Sequence, residues 1–243
     1  FKDHFSGHAA EYARYRPHYP AAMFEYLSSL APNHECAWDC ATGNGQAAVA
    51  LAPFFERVLA SDASAKQIEN AQRHERVEYR VATAGASELG AESIALITVA
   101  QALHWFDREK FFAESNRVLQ RNGLLAVWSY NLFQVAPEID RLVETFYRET
   151  VGPFWDFERK LVETGYRTIE FPFAEIAPPE FQMSAHWSLE QALGYLRTWS
   201  ATKGFIAARG FDPVDSLGEQ LRKLWPANLR VDWPLSLIVR RKD

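Results

Sequence analysis

WDCATGNGQAA, residues Trp38–Ala48, places one acid and two glycines between an apolar stretch and a run of small helix formers. Apolar Glu35 to Cys40 reads as a strand that ends in the glycine turn, and Gln46 to Phe55 reads as a helix launched from it. Glycines let a backbone approach a ligand closely, and the helix that follows offers unpaired N–H groups at its start. Downstream the pattern repeats. RVLASD, Arg57 to Asp62, is a short strand with an acid at its end; Ala63 to His74 is helical; Val77 to Val81 is a third strand. SIALITVAQAL, Ser93 to Leu103, is almost continuously apolar, as expected of a strand buried on both faces. Asp107 can cap the next helix and Gly123 can stop it, with Phe111, Phe112, Val118 and Leu119 as its apolar stripe. LLAVWSY, Leu124 to Tyr130, is a fifth strand. Five alternations of strand and helix predict a doubly wound α/β fold, a parallel sheet with helices on both faces.

Upstream of the first strand, a helix is expected from about Pro20 to Leu30. Beyond Tyr130 the alternation stops. Residues 137–165 look mainly helical, and YRTIEFPFAEI, Tyr166 to Ile176, reads as a strand that Pro178-Pro179 ends. A helical stretch over about Leu189 to Leu224 precedes the final strand, VDWPLSLIVRR. The expectation is therefore one domain over 1–243, with a lid segment at 1–20 and a helical insertion over about 177–229, from Ala177 to Leu229.

Composition narrows the function classes. With 243 residues and 48% apolar content, the chain can bury a substantial core. A formal net charge of −5 argues against a nucleic-acid partner, whose binders carry a basic stripe. The cysteines Cys36 and Cys40 have neither a zinc-pair nor a C-x-x-C spacing, so no metal is expected and both read as small core residues. No apolar run reaches the roughly 18 residues of a membrane span, and FKDHFSGH has no apolar signal core, so the expected setting is cytoplasmic.

Two cofactors suit the turn. Gly43-x-Gly45-x-x-Ala48 fits a dinucleotide fingerprint, in which the helix start holds a pyrophosphate; Asp39-x-x-x-Gly43-x-Gly45 fits a turn for S-adenosylmethionine, which needs an acceptor for its ammonium. Asp62, nineteen residues after Gly43, can take both hydroxyls of a ribose, which both cofactors contain. The architecture separates them, because a dinucleotide fold continues as a parallel repeat. Five units followed by two further strands resemble the class I S-adenosylmethionine-dependent methyltransferases, whose Rossmann-like, mostly parallel seven-stranded sheet has an antiparallel last strand. In detail, FSGHAAEYARYRPHYP, VAQALHWFD (Val99 to Asp107), GPFWD (Gly152 to Asp156) and YLRTWSATK (Tyr195 to Lys203) resemble the methyltransferase type 11 group, which includes trans-aconitate methyltransferase-like enzymes. Two places depart from that group: Ala41 stands for an earlier glycine of the turn, and Gly85 stands where Glu is common.

The resemblance implies S-adenosylmethionine as cofactor, with Asp39, Ala41, Gly43, Gly45, Asp62, Ala63, Gly85, Ala86 and Gln101 as its contacts. Tyr12, Tyr15, Arg16 and Tyr19 of the leader are candidates to close over it. His104, just past the fourth strand, is the candidate general base. Trp128, Tyr130, Trp155, His186, Arg197 and Trp199 are candidates for the methyl acceptor, an aromatic set with one arginine that suits a small, apolar or carboxylated molecule, a carboxylate being oriented by a bidentate pair to Arg197 or Arg16. A carboxylate needs no base, whereas a phenol or amine does. The place where base methyltransferases carry [DN]-P-P-aromatic reads QALHWFD, which also points to a small-molecule acceptor. The alternatives are a protein that binds the cofactor without turnover and a nicotinamide oxidoreductase; no Tyr-x-x-x-Lys pair supports the latter.

Overall fold

Every residue of strand β1 (Cys36–Cys40) is buried. Ala37 packs on one face of the sheet, and Trp38 and Cys40 pack on the other, as the two-residue period of a strand requires. The computed structural model describes residues 17–243. Within them β1 lies at the centre of the sheet, flanked in parallel by β2 (Arg57–Asp62) and β4 (Ile94–Ala100). β3 (Val77–Val81) extends the sheet beyond β2, and β5 (Leu119–Tyr130) extends it beyond β4, both in parallel. β8 (Leu229–Arg241) then runs antiparallel to β5. Two strands share its far side: β6 (Ala174–Ile176) pairs with Val239–Arg241, and β7 (Phe181–Trp187) pairs with Leu229–Leu235. Eight strands thus fill seven places, in the order β3-β2-β1-β4-β5-β8-β6 with β7 in line with β6. This is the Rossmann-like methyltransferase sheet with an antiparallel last strand. The antiparallel β8 excludes the continued parallel repeat of a dinucleotide fold.

Helices α1 (Ala21–Leu30) and α2 (Gln46–Leu51) cover one face, where Met23, Phe24, Leu27, Ala48 and Leu51 are buried against Leu96, Ala126 and Trp128. The short α3 (Ala65–Glu69) follows β2; Ser64 caps it, accepting from the Gln67 N–H. On the other face, α4 (Arg108–Val118) buries Phe111 and Val118 against Trp38, Ile97 and Val127. Asp107 caps α4 as its position implies, accepting from the Lys110 N–H at 3.3 Å. The helix ends at Val118, ahead of Gly123, which lies within β5; a side chain there would meet the Gln120 carbonyl at 2.9 Å.

The second half departs from expectation at one strand. Tyr166–Ile176 forms strand only at its last three residues, and the longer β7 lies beyond Pro178-Pro179, inside the expected helical insertion. Two prolines break ladder pairing, so one edge lane is split between β6 and β7. Helices α5 (Pro137–Thr145) and α6 (Arg159–Glu163) precede these strands. Beyond them, α7 (Leu189–Arg197), α8 (Ser200–Arg209) and α9 (Val214–Leu221) form the insertion proper. The Ser188–Gln191 capping box starts α7. These helices and β7 enclose a separate aromatic core around Phe133, Trp187, Tyr195 and Trp233, stacked over the carboxyl ends of the sheet strands. No helix among the described residues is long and apolar enough to cross a membrane.

Candidate active site

A cavity of about 600 Å³ opens at the carboxyl ends of β1, β2 and β4, with the helices after β5 as its far wall. That is where an open α/β sheet places ligands, because the strand order reverses there. Its near half is made by the turn after β1, the end of β2, the loop after β3 and the end of β4. Its far half includes Tyr130, Asn131, Trp155, Asp156, Arg159, Tyr195, Thr198 and Trp199.

Asp39 does not reach this cavity. It is fully buried beneath the turn, accepting from the Thr42 hydroxyl at 2.6 Å and the Thr98 hydroxyl at 2.7 Å. Burial lifts its carboxyl to about 6, opposed by those two hydrogen bonds. It pins the turn to β4 and stands behind the cavity wall. Above it the backbone turns left-handed three times, at Ala41 (φ 57°), Gly43 (φ 55°) and Gly45 (φ 83°). Ala41 thus occupies a conformation that costs a residue with a side chain about 1–2 kcal/mol, which explains the glycine expected there.

The two glycines serve different needs. A side chain at Gly43 would meet no atom within 4 Å, and the residue lines the cavity. At Gly45, which does not line it, a Cβ would sit 2.2 Å from the Tyr79 hydroxyl. Gly45 therefore makes room for Tyr79, whose hydroxyl donates to the Gln72 carbonyl. Gly85 combines both roles: it lines the cavity, and a side chain there would strike Lys110 Cβ at 2.7 Å, so the loop after β3 lies close against α4. Ala86 closes that loop by donating its N–H to the Thr83 carbonyl at 3.1 Å.

Asp62 ends β2 with its side chain at the cavity. One carboxylate oxygen accepts from the Gly43 N–H and the other from the Ser64 N–H, each at 2.9 Å. Ala63 lines the cavity beside it. Gln101, at the end of β4, has φ 56°. Its side-chain amide donates to the Tyr130 carbonyl at 2.9 Å and accepts from the Tyr130 N–H at 3.0 Å. That side chain ties β4 to β5, and its backbone borders the cavity. Tyr19 also lines the cavity, edge-on to Trp128 at 5.3 Å. Gln46, which the motif reading passed over, donates to the Pro17 carbonyl at 2.9 Å and so fastens the segment before α1 to the start of α2. Tyr12, Tyr15 and Arg16 lie outside the described residues.

His104 sits in a single turn of 3-10 helix (Leu103–Trp105) and is buried at the cavity wall. Its Nδ1 is 2.8 Å from the Tyr166 hydroxyl, and its ring contacts Trp105 at 4.6 Å. Burial, reinforced by the Arg159 charge, lowers the imidazole to about 3. It is therefore neutral at ordinary pH and a weak base.

Of the acceptor candidates, Tyr130, Trp155 and Trp199 line the cavity. Trp128 does not: it is fully buried under Tyr19 and Phe24. His186 is on β7, paired with Arg230 at the sheet edge and away from the cavity. Arg197 points away from it too, held by Asp212 at 2.5 Å and Asp215 at 2.7 Å. Its place as the cavity arginine belongs to Arg159, which sequence reading missed. The signal was present in WDFER, where Arg159 follows Trp155 by four residues, a helical neighbour spacing.

Comparison with known proteins agrees with this geometry. A methyltransferase domain family matches residues 38–127, the span from β1 through most of β5. A protein of Dictyostelium discoideum assigned to the methyltransferases is 33% identical over 253 aligned residues, covering 100% of this chain and 96% of its own. A methyltransferase-assigned protein of Schizosaccharomyces pombe is 26% identical over 203 residues, 81% of this chain and 78% of its own. Among solved structures, one from Anaeromyxobacter dehalogenans, described as a type II methyltransferase, superposes with a TM-score of 0.88 at 41% identity, covering 93% of this chain and 97% of that one. The sheet order, the glycine turn with its strand-end acid, and a relative 33% identical over 96% of its own length lead to one assignment: the chain belongs to the class I S-adenosylmethionine-dependent methyltransferases.

Proposed function

We propose that this methyltransferase O-methylates a small carboxylic acid. The reading is carried by one observation: the far wall of the cavity presents the Arg159 guanidinium among aromatic rings, with no carboxylate of the described residues paired to it.

The near half of the cavity suits S-adenosylmethionine. Open space stands over Gly43, and the Asp62 carboxylate, fixed by two backbone N–H groups, lines the same cavity. We assign the ribose to Asp62, the methionyl part to the Ala41–Gly43 backbone, and the adenine to Ala63 and the loop through Gly85 and Ala86. The cofactor supplies a methyl group on a sulfonium, already activated for displacement. The chain has to align the acceptor with it and exclude water, and such positioning can contribute about 7–11 kcal/mol.

His104 fits this division of labour as a neutral wall residue. An imidazole lowered to about 3 is poorly matched to removing a proton from a phenol or an amine. A carboxylate is ionised already and presents its nucleophilic oxygen without help. His104→Asn is accordingly expected to leave the shape of the pH–rate profile between pH 6 and 9 unchanged. An ionisation in that window that vanishes in the variant would restore His104 as the base. Both cysteines are free and buried, and we place the reaction in the cytoplasm, with residues 1–20 as a lid. The direct test is S-adenosylhomocysteine formation against a panel of carboxylic acids and their amides, with methyl esters identified by mass. Esters from the acids alone support the reading. Turnover of amines or phenols only would replace it, and cofactor binding with no turnover on a broad panel would favour a non-catalytic binder.

A further inference from the structure

We infer that Arg159 and Trp155 form a shelf for a single carboxylate carried on a flat apolar body, and that Tyr147 and Glu163 orient it. This inference rests on the carboxylic-acid reading and adds the number of charges, their position and the shape of the acceptor.

Arg159 begins α6 and is half-buried. Its Nε donates to the Tyr147 hydroxyl at 3.0 Å, and that hydroxyl in turn donates to the Glu163 carboxylate at 2.6 Å. A phenol has one proton, so giving it to Glu163 leaves the oxygen lone pairs facing Nε. The guanidinium lies 4.8 Å over the Trp155 ring and 5.6 Å from the Tyr147 ring. The Trp155 indole is itself fixed, donating to the Tyr147 carbonyl at 3.3 Å. Arg159 is thus held by its inner nitrogen and its face. Neither terminal nitrogen has an acceptor among the described residues. Arg197, by contrast, has both ends of its guanidinium on carboxylates. An arginine anchored at Nε and supported from below has its two outer nitrogens set as a fork, the geometry that meets a carboxylate in a plane.

The lining supplied by the described residues suits a ligand with one charge. Among the described residues, the other cation lining the cavity is Lys110, which pairs with Asp107 at 2.9 Å beside the Gly85 loop. On the Arg159 side the walls are rings, with Trp155 and Trp199 at 5.6 Å and Tyr195 beside Trp199 at 6.0 Å, and Asp156 lies along the same wall. A second carboxylate would be desolvated against those rings. A conjugated or aromatic body would stack there instead.

The test uses the whole protein saturated with S-adenosylhomocysteine and titrates trans-cinnamate, cinnamamide and propane-1,2,3-tricarboxylate by calorimetry. Cinnamate is expected to bind at least ~10-fold more tightly than its neutral amide, as expected for a charged hydrogen-bonded pair, and more tightly than the tricarboxylate. Arg159→Gln should abolish the preference for acid over amide. Tyr147→Phe should weaken cinnamate by ~3–10-fold, the loss of one orienting bond, and leave cinnamamide unchanged, a split that a general loss of packing would not give. Thermal melts of each variant establish that it is folded. Equal affinity for cinnamate and cinnamamide, absence of cinnamate binding, or tighter binding of the tricarboxylate would overturn the shelf. Failure of the two readings is separable. Arg159-dependent cinnamate binding without ester formation from any acid keeps the shelf and removes the carboxyl chemistry. Esters formed only from polycarboxylates keep the chemistry and remove the shelf.

Discussion

Gly43 and Gly45 have the same left-handed backbone and different neighbours, so the same substitution should injure the protein in two ways. Gly43→Ala adds a methyl to open space and costs mainly the left-handed conformation, about 1–2 kcal/mol. Its larger effect should fall on the cofactor, because the methyl projects where the ligand backbone contact is proposed. A loss of ~10-fold or more in S-adenosylhomocysteine affinity is expected, the scale of one or two hydrogen bonds. Gly45→Ala meets Tyr79 at 2.2 Å and adds overpacking of about 1–3 kcal/mol to the same conformational cost. Urea melts and calorimetry on both variants check this. Gly45→Ala should have the lower midpoint, and Gly43→Ala the weaker binding per folded molecule. The reverse order would mean that the roles of the two glycines have been exchanged. The paired glycines that make this turn recognisable therefore include one that serves packing.

At the scale of elements, the loop after β3 is held to α4 from below. Glu114, on α4, accepts from the Ser87 N–H at 2.9 Å and from the Ser87 hydroxyl, and pairs with Arg117 at 2.8 Å. Arg117, then Ser87, hold its carboxyl down to about 2. Glu114→Gln removes the charge and keeps the shape. It should cost about 1–2 kcal/mol, since the exposed half of Arg117 is screened by solvent, and the loss should shrink below about pH 4 and vanish as pH falls through about 2, where the parent is protonated too. A variant as stable as its parent at pH 7 would show the anchor to be idle. Cofactor affinity should fall less than in Gly43→Ala, because the loop is loosened without being altered. This anchor was not visible in the sequence, since Ser87 and Glu114 are 27 residues apart and mark no motif. Other elements were plain to read. The apolar run of β4 and the acid closing β2 follow from burial and period, and with the turn after β1 they led to the sheet. β7 was hidden for a physical reason: the ladder partner of FQMSAHW is β8, far along the chain, and the prolines before it suggested an end to pairing. Arg159 was hidden because only Tyr147, Trp155 and Glu163 together make it a site. The conspicuous arginine, Arg197, is consumed by Asp212 and Asp215. Local pattern reaches strands and turns; it does not reach side chains whose meaning comes from partners on other elements.

Across the whole molecule, two buried carboxyls pull stability in opposite directions as pH changes. Glu114 is held to about 2 in the fold, below its unfolded range near 4.3. Its contribution is present above about pH 4 and is lost as pH falls through the folded value. Asp39 is raised to about 6, above the ordinary aspartate range near 3.9. The fold favours its protonated form, so its contribution is largest below about pH 4 and is lost as pH rises towards 6. The ligand-free protein should therefore show a stability maximum near pH 4–5 from this pair, with a decline towards neutrality that a paired carboxylate would not give. Asp39→Asn removes the ionisation while keeping groups able to meet Thr42 and Thr98. The variant should lose the decline between pH 4 and 6. At pH 7 it should be more stable by about 1–2 kcal/mol, less than the full linkage of about 3 kcal/mol because an amide cannot accept every hydrogen bond that the carboxylate accepts. Denaturant midpoints of parent and variant from pH 3.5 to 8 measure it. Parallel curves would show that Asp39 is charged throughout and stabilised by the turn; a variant that is weaker at every pH would show that the carboxylate holds the turn better than it burdens it. If the curves converge at low pH and separate above it, a charge retained beneath the glycine turn at a cost in stability is explained by what it holds in place, the backbone on which the cofactor is proposed to lie.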